Sequence, residues 1–220
     1  MTARPAAAIF DLDGTLIDTE TLFNEAGVEA CAALGLIVPL SFFETLAGIH
    51  DEERVRLIEA QVGRPLDAKA FFAEWDRRGS ERMAKGVPVK PGAVALLTHL
   101  KAEGLPLALA TSSRRGPGHE KLALAGLAGF FDAVITFDDV AAAKPAPDPY
   151  LTAAAALGQP PGACVAFEDS EPGATSAFAA GCIVVQIPDI HPALGTHAHY
   201  IAPSLIEGAR MAGLIGPDAP

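Results

Sequence analysis

Ala6-Ala7-Ala8-Ile9-Phe10 runs directly into Asp11-Leu12-Asp13-Gly14-Thr15. The first half is short, wholly apolar and bounded by polar residues, the pattern of a strand buried on both faces. Two carboxylates follow, Asp11 and Asp13, with one residue between them, so both are delivered close to one spot at the end of that strand. Gly14 frees the backbone to turn, and Thr15 adds a hydroxyl. One carboxylate can attack an electrophile while the other handles protons, and together they invite a hard cation. This combination suits phosphoryl transfer through an aspartyl-phosphate. Two solvated turn aspartates are the alternative, and the rest of the chain decides between the readings.

Further apolar, strand-like runs occur at 105–110, 133–137, 163–167 and 182–187, separated by helical patterns at 91–103, 117–125, 148–157 and 171–180. Pro91 is read as opening one helix and Gly104 as closing it; Ser170 and Pro172 open another, which Gly181 closes. Alternating strands and helices with short connections predict a parallel, Rossmann-like α/β sheet with helices on both faces. Ligands bind such sheets outside the carboxyl ends of the strands. Thr111-Ser112-Ser113 and Glu168-Asp169-Ser170 each follow a strand as Asp11 does, and Lys144 stands in the loop after another. The fold argument alone therefore brings these groups to one edge.

One connection, from Phe10 to Leu105, is far too long for a plain crossover. Residues 18–87 read as an all-helical insert, with 1–17 and 88–220 forming the core. Leu22, Ala26, Ala30 and Leu34 recur at four-residue steps along one face. Asp51 is expected to cap a helix carrying Val55, Leu57, Ile58 and Val62, and Asp67 another through Phe71, Phe72 and Trp75. Hinges are expected at Leu16–Thr19 and Gly86–Pro88. The Ala-rich stretches read as helix and core filler.

Of the 220 residues half are hydrophobic and a fifth charged, which permits a substantial core. With 16 Lys and Arg against 27 acids the net charge is −11, unfavourable for binding nucleic acid. No apolar run reaches the roughly 18 residues of a membrane span, and the residues before Asp11 are read as its strand rather than a signal peptide. A cytoplasmic protein is expected, a monomer or weak homodimer, with Cys31, Cys164 and Cys182 as buried thiols. His191, His197 and His199 lie among prolines and glycine and are read as a loop rather than a metal site.

The four motifs (Asp11-Leu12-Asp13-Gly14-Thr15, Thr111-Ser112-Ser113, Lys144 in a proline-rich loop, Glu168-Asp169-Ser170) resemble, in kind and order, those of the haloacid dehalogenase superfamily in its phosphatase and phosphomutase branch. The resemblance implies that the insert is the family's helical cap. It implies Asp11 as nucleophile, and Asp13 as general acid to the leaving alcohol and then general base to water. Thr111 would donate to the transferring phosphoryl group with help from the Ser112 and Ser113 N–H groups, and Lys144 would bind a phosphoryl oxygen. Mg2+ would be held by Asp11, Asp169 and the Asp13 backbone carbonyl, with Glu168 either a direct ligand or an acceptor for bound water.

The cap departs from the beta-phosphoglucomutases that the chain otherwise resembles. Those mutases carry a histidine twelve residues beyond the nucleophile, where this chain has Phe23. Their cap loop carries a lysine just before a glycine and an arginine soon after; here it reads Leu46-Ala47-Gly48-Ile49-His50-Asp51-Glu52. A mutase must hold a second phosphate, so water is expected to win and the expected activity is a phosphatase of a small phosphorylated metabolite such as a sugar phosphate. His50 and Arg114 are further candidates for substrate contact, with Arg54 beside them. A phosphomutase and a non-catalytic phosphate-binding protein are the alternatives.

Overall fold

The computed structural model describes residues 4–46, 49–189, 192–217 and 219. The chain divides into two compact units, Met1–Ile17 with Pro88–Pro220, and Asp18–Val87.

The first unit is built on a parallel sheet of β1 (Ala7–Phe10), β2 (Leu107–Ala110), β3 (Ala133–Ile135), β4 (Cys164–Glu168), β5 (Ile183–Gln186) and β6 (Tyr200–Ile201). Their spatial order is β3-β2-β1-β4-β5-β6. The chain therefore builds outward from β1 on one side and then returns to build on the other. β1, β2 and β4 are buried at every position because both faces are covered, which is why their sequences are unbroken apolar runs. Alternation along β1 sends Ala7 and Ile9 to one face and Phe10 to the other. On the first face Ala7, Ile9 and Ala166 pack with Tyr150, Ala153 and Ala154 of α7 (Asp148–Ala156) and Ala174 and Ala177 of α8 (Glu171–Ala179). These alanines bear out the filler reading, since small side chains let both helices approach the sheet closely. On the other face Phe10 and Phe167 stack at 4.6 Å.

Element boundaries differ from the sequence reading where capping chemistry intervenes. β3 stops at Ile135 because the Thr136 hydroxyl and N–H both bond the Asp139 carboxylate, closing a 3-10 turn over Phe137–Asp139. α5 (Ala93–Ala102) begins two residues after Pro91, because Gly92 at φ +82° is left-handed and cannot belong to the helix. Ser170 caps α8 as expected, its hydroxyl accepting from the Gly173 N–H at 3.2 Å. The two-residue β6 was not anticipated.

The Asp18–Val87 unit contains α1 (Thr19–Ala33), α2 (Leu40–Glu44), α3 (Asp51–Val62) and α4 (Ala68–Met83). Its core gathers Ala30, Phe43, Ile58 and Phe71, with Trp75 packed against them. Asp18 and Asp67 cap α1 and α4 by accepting from the N–H groups of Thr21 and Ala70, each at 3.0 Å. The expectation for Asp51 is corrected. His50 occupies the cap position without a side-chain bond, and Asp51 is the first helical residue, paired with Arg54 at 2.5 Å. An acidic residue there still favours the positive end of the helix.

Candidate active site

Parallel register sets the floor of the site. Phe10 pairs with Leu109 on one side and Phe167 on the other, so Asp11, Thr111 and Glu168 arrive at nearly the same level. The Asp11 N–H donates to the Phe167 carbonyl at 3.0 Å, and the Thr111 N–H to the Ile135 carbonyl at 2.9 Å, continuing the ladder into the loops. β1 lies where the strand order reverses, the place at which open α/β sheets bind ligands.

Lys144 reaches into this floor from the loop before α7. Its Nζ lies 2.5 Å from Asp11 Oδ1 and 2.6 Å from Glu168 Oε1, and its side chain is only 5% exposed. Glu168 is wholly buried and further hydrogen-bonded: Oε1 also accepts from the Tyr150 hydroxyl at 2.5 Å, and Oε2 from the Ser170 hydroxyl at 3.2 Å. Two glycines make room for the acids. A Cβ on Gly173 would fall 1.9 Å from Glu168 Oε2, and one on Gly14, itself at φ +82°, would fall 2.3 Å from Asp169 Oδ2. Alanine cannot replace either without displacing a carboxylate. The Thr15 hydroxyl stands 3.5 Å from Asp169 Oδ1.

Three acids, Asp11, Glu168 and Asp169, each place a carboxylate oxygen within 4.8 Å of the others. Hard oxygen donors of this kind fit a divalent cation such as Mg2+. Their electrostatics agree. Burial, and then the charges of Glu168 and Asp169, push the Asp11 carboxyl well above its ordinary range against the pull of Lys144. Burial and the adjacent Glu168 raise Asp169 to about 7. Burial disfavours the Lys144 ammonium, but Asp11 and Glu168 outweigh it and hold the proton on. One lysine is too little positive charge for three acids, and a bound cation would offset the remainder.

Asp13 faces a different set of groups. Its Oδ2 accepts from the Ser113 hydroxyl at 3.0 Å and its Oδ1 from Lys121 Nζ at 2.7 Å. The Thr111 oxygen accepts from the Ser113 N–H at 3.0 Å, an arrangement that leaves the threonine proton to donate elsewhere. Ser112 is exposed. Arg114 is 71% exposed, paired with Asp138 at 3.2 Å and lying over the Phe137 ring at 5.2 Å. Hydrogen bonds thus link Asp11, Lys144 and Glu168 in one group and Asp13, Ser113 and Thr111 in another, while Arg114 turns to Asp138. His50 belongs to the Asp18–Val87 unit and is exposed.

The family pattern described as haloacid dehalogenase-like hydrolase matches residues 5–181. The chain belongs to this family. The hydrolase is 40% identical over 192 residues to protein CbbY of Rhodobacter capsulatus, covering 83% of this chain and 85% of the relative. It is 34% identical over 181 residues to hexitol phosphatase A of Escherichia coli, covering 81% of each. A haloacid dehalogenase family hydrolase from Deinococcus radiodurans, crystallised with phosphate and sodium, superposes with a TM-score of 0.85 at 28% identity, covering 98% of this chain and 99% of that one. The enzyme is accordingly a hydrolase of the family's phosphatase kind.

Two residues that bond these carboxylates were not anticipated, Lys121 with Asp13 and Tyr150 with Glu168. Tyr150 reads as an ordinary core aromatic, and only the three-dimensional meeting with Glu168 gives its hydroxyl a role. The histidines near the end act as expected of a loop: His197 Nδ1 lies 3.1 Å from the Thr175 hydroxyl, and His199 Nδ1 accepts from the Val184 N–H at 3.0 Å. His191 lies outside the described residues, and no other group of metal-ligating side chains occurs among those described. All three cysteines are free and buried, and burial raises Cys31 and Cys164 to about 11 and Cys182 to about 12. Among the described residues no helix is long and apolar enough to cross a membrane.

Proposed function

We propose that this enzyme is a Mg2+-dependent phosphatase of a small phosphorylated metabolite, a sugar or sugar-alcohol phosphate, working through an aspartyl-phosphate. The reading rests above all on one juxtaposition: Asp11, at the end of the central strand, meets Lys144 at 2.5 Å and the Glu168-Asp169 pair within 4.8 Å. The hexitol phosphatase relative and the phosphate-bound neighbour support the substrate class. An Asp11 oxygen attacks phosphorus in line, and the P–O bond to the alcohol breaks as Asp13 gives that oxygen a proton. Asp13 then takes a proton from water, which attacks the same phosphorus and restores the Asp11 carboxylate. Lys144 and the Thr111 hydroxyl neutralise the phosphoryl oxygens, and fixed donors of this kind act most strongly in a site closed to water. Asp11, Glu168, Asp169 and the Asp13 carbonyl would hold Mg2+, which when bound supplies further positive charge to the phosphoryl group.

Metal binding must release protons. Asp169 at about 7 and Asp11, also raised, have to lose theirs before they can ligate. Affinity for Mg2+ in chelator-stripped enzyme is expected to rise as pH passes through about 7, where Asp169 loses its proton. Calorimetry at pH 6 in buffers of different ionisation enthalpy should report proton release that diminishes by pH 8.5; pH-independent binding would contradict the site.

Water rather than a second phosphate is the proposed acceptor. The Phe23 ring is occupied in packing, so close to Gly79 that a Cβ there would fall 2.4 Å from it, and it has no proton to relay. Arg54 is also committed within its own unit: it pairs with Asp51 at 2.5 Å and lies over the Trp75 ring at 4.8 Å. Ala47, where the mutases place a lysine, lies outside the described residues. Given beta-glucose 1-phosphate with a trace of the bisphosphate, the enzyme should release phosphate faster than it forms glucose 6-phosphate. The reverse ratio would make it a mutase.

A further inference from the structure

We propose that Lys121 is a positioning residue for the acid–base carboxyl, acting together with Ser113; the proposal rests on the reading of Asp13 given above. Lys121 lies on α6 (Arg115–Leu124), and nothing about an isolated helical lysine marks it as part of a site. In three dimensions it closes a ring of contacts. Its Nζ is 2.7 Å from Asp13 Oδ1 and 3.1 Å from Ser113 Oγ, and Ser113 Oγ is 3.0 Å from Asp13 Oδ2. Each carboxylate oxygen thus has its own partner, and those partners bond each other. A carboxyl held at both oxygens has its plane as well as its position fixed, whereas one contact would leave it free to rotate about its own axis.

The ring is built into the fold. Gly118, one turn before Lys121 on the same face, is buried, and a Cβ there would sit 3.6 Å from both the Ser113 Cβ and the Thr111 Cγ2. The helix therefore lies directly against the loop after β2, and the next residue on that face is aimed at the loop after β1. Lys121 is 16% exposed, against 71% for Arg114. An exposed ion pair fluctuates and contributes little, whereas a mostly buried ammonium bonded to two site residues is held in place. Lys121 and Lys144 also divide the work. Lys144 contacts Asp11 and Glu168, and Lys121 contacts Asp13 and Ser113.

The consequence concerns the leaving group. A phenol with electron-withdrawing groups departs without help, whereas a poorer one needs the proton from Asp13 as the P–O bond breaks. Misplacing that carboxyl should slow only the second class. The test is the burst of phenol release in single-turnover reactions of the Mg2+-loaded enzyme, with phenyl phosphate and 2,4-dinitrophenyl phosphate as probes. Lys121→Met should slow phenyl phosphate by about 10- to 100-fold and the dinitrophenyl ester by less than about threefold, with KM unchanged. Lys121→Arg should recover much of the loss, and Lys121→Gln serves in the same comparison should the methionine variant fail to fold. Asp13→Asn separates the two claims. Equal slowing of both esters in that variant would remove Asp13 as the acid. A selective loss in Asp13→Asn, with none in the folded Lys121 variants or with equal loss on both esters there, would overturn the role of Lys121 alone.

Discussion

Asp11→Asn is expected to lower turnover by roughly four orders of magnitude or more while the protein stays folded. An amide oxygen is too weak a nucleophile to form the acyl-phosphate. The fold should tolerate the change because burial already disfavours a charge at this position, and asparagine matches aspartate in shape. Lys144 keeps one partner in Glu168 at 2.6 Å. Phosphate release measured alongside thermal unfolding checks both halves. A folded variant with a substantial fraction of wild-type turnover would remove Asp11 as the nucleophile.

Lys144→Met should harm both activity and stability. The side chain is 5% exposed, and its ammonium contacts two buried carboxylates. Removing one partner of a buried ion pair costs about 3–5 kcal/mol, because the charge left behind has neither water nor a counter-ion. The pH dependence follows from the sign of the remaining shift. Lys144 lowers the Asp11 carboxyl against burial, so without it that carboxyl moves higher still above its unfolded value. An acid raised in the folded state destabilises as pH rises through the interval between its unfolded and folded values. The deficit in metal-free protein should therefore be smaller at pH 5 than at pH 8. Chemical unfolding at both values measures it, and adding Glu168→Gln to Lys144→Met should restore part of the stability but no activity. A stability loss independent of pH would mean that Lys144 acts by packing alone.

The legible parts of this molecule were those governed by local chemistry or by burial on two faces. β1 and β4 announce themselves because a central strand of a parallel sheet has no polar side, and Asp11 and Asp169 stand directly after them. Asp67 and Ser170 were readable as caps because a short oxygen-bearing side chain at a helix start satisfies a free N–H. Asp51 misled for an instructive reason: an acid is favourable at the cap and at the first helical position alike, so helix existence is clear while the boundary shifts by one residue. β6 is two residues at a sheet edge, too short for alternation to register. Tyr150 and Lys121 were hidden more deeply. Each occupies a helix position where its type is unremarkable, and each acquires meaning from a carboxylate 18 or 108 residues away.

The central claim is that the phosphoryl group rests on Asp11 during turnover. An acyl-phosphate is reduced by borohydride where a free carboxylate is not, converting the aspartate to homoserine. Enzyme quenched during steady turnover of an aryl phosphate, reduced and digested, should show homoserine at position 11 by peptide mass spectrometry. Enzyme without substrate should show none. Phosphate release at full rate with position 11 unmodified would contradict the account.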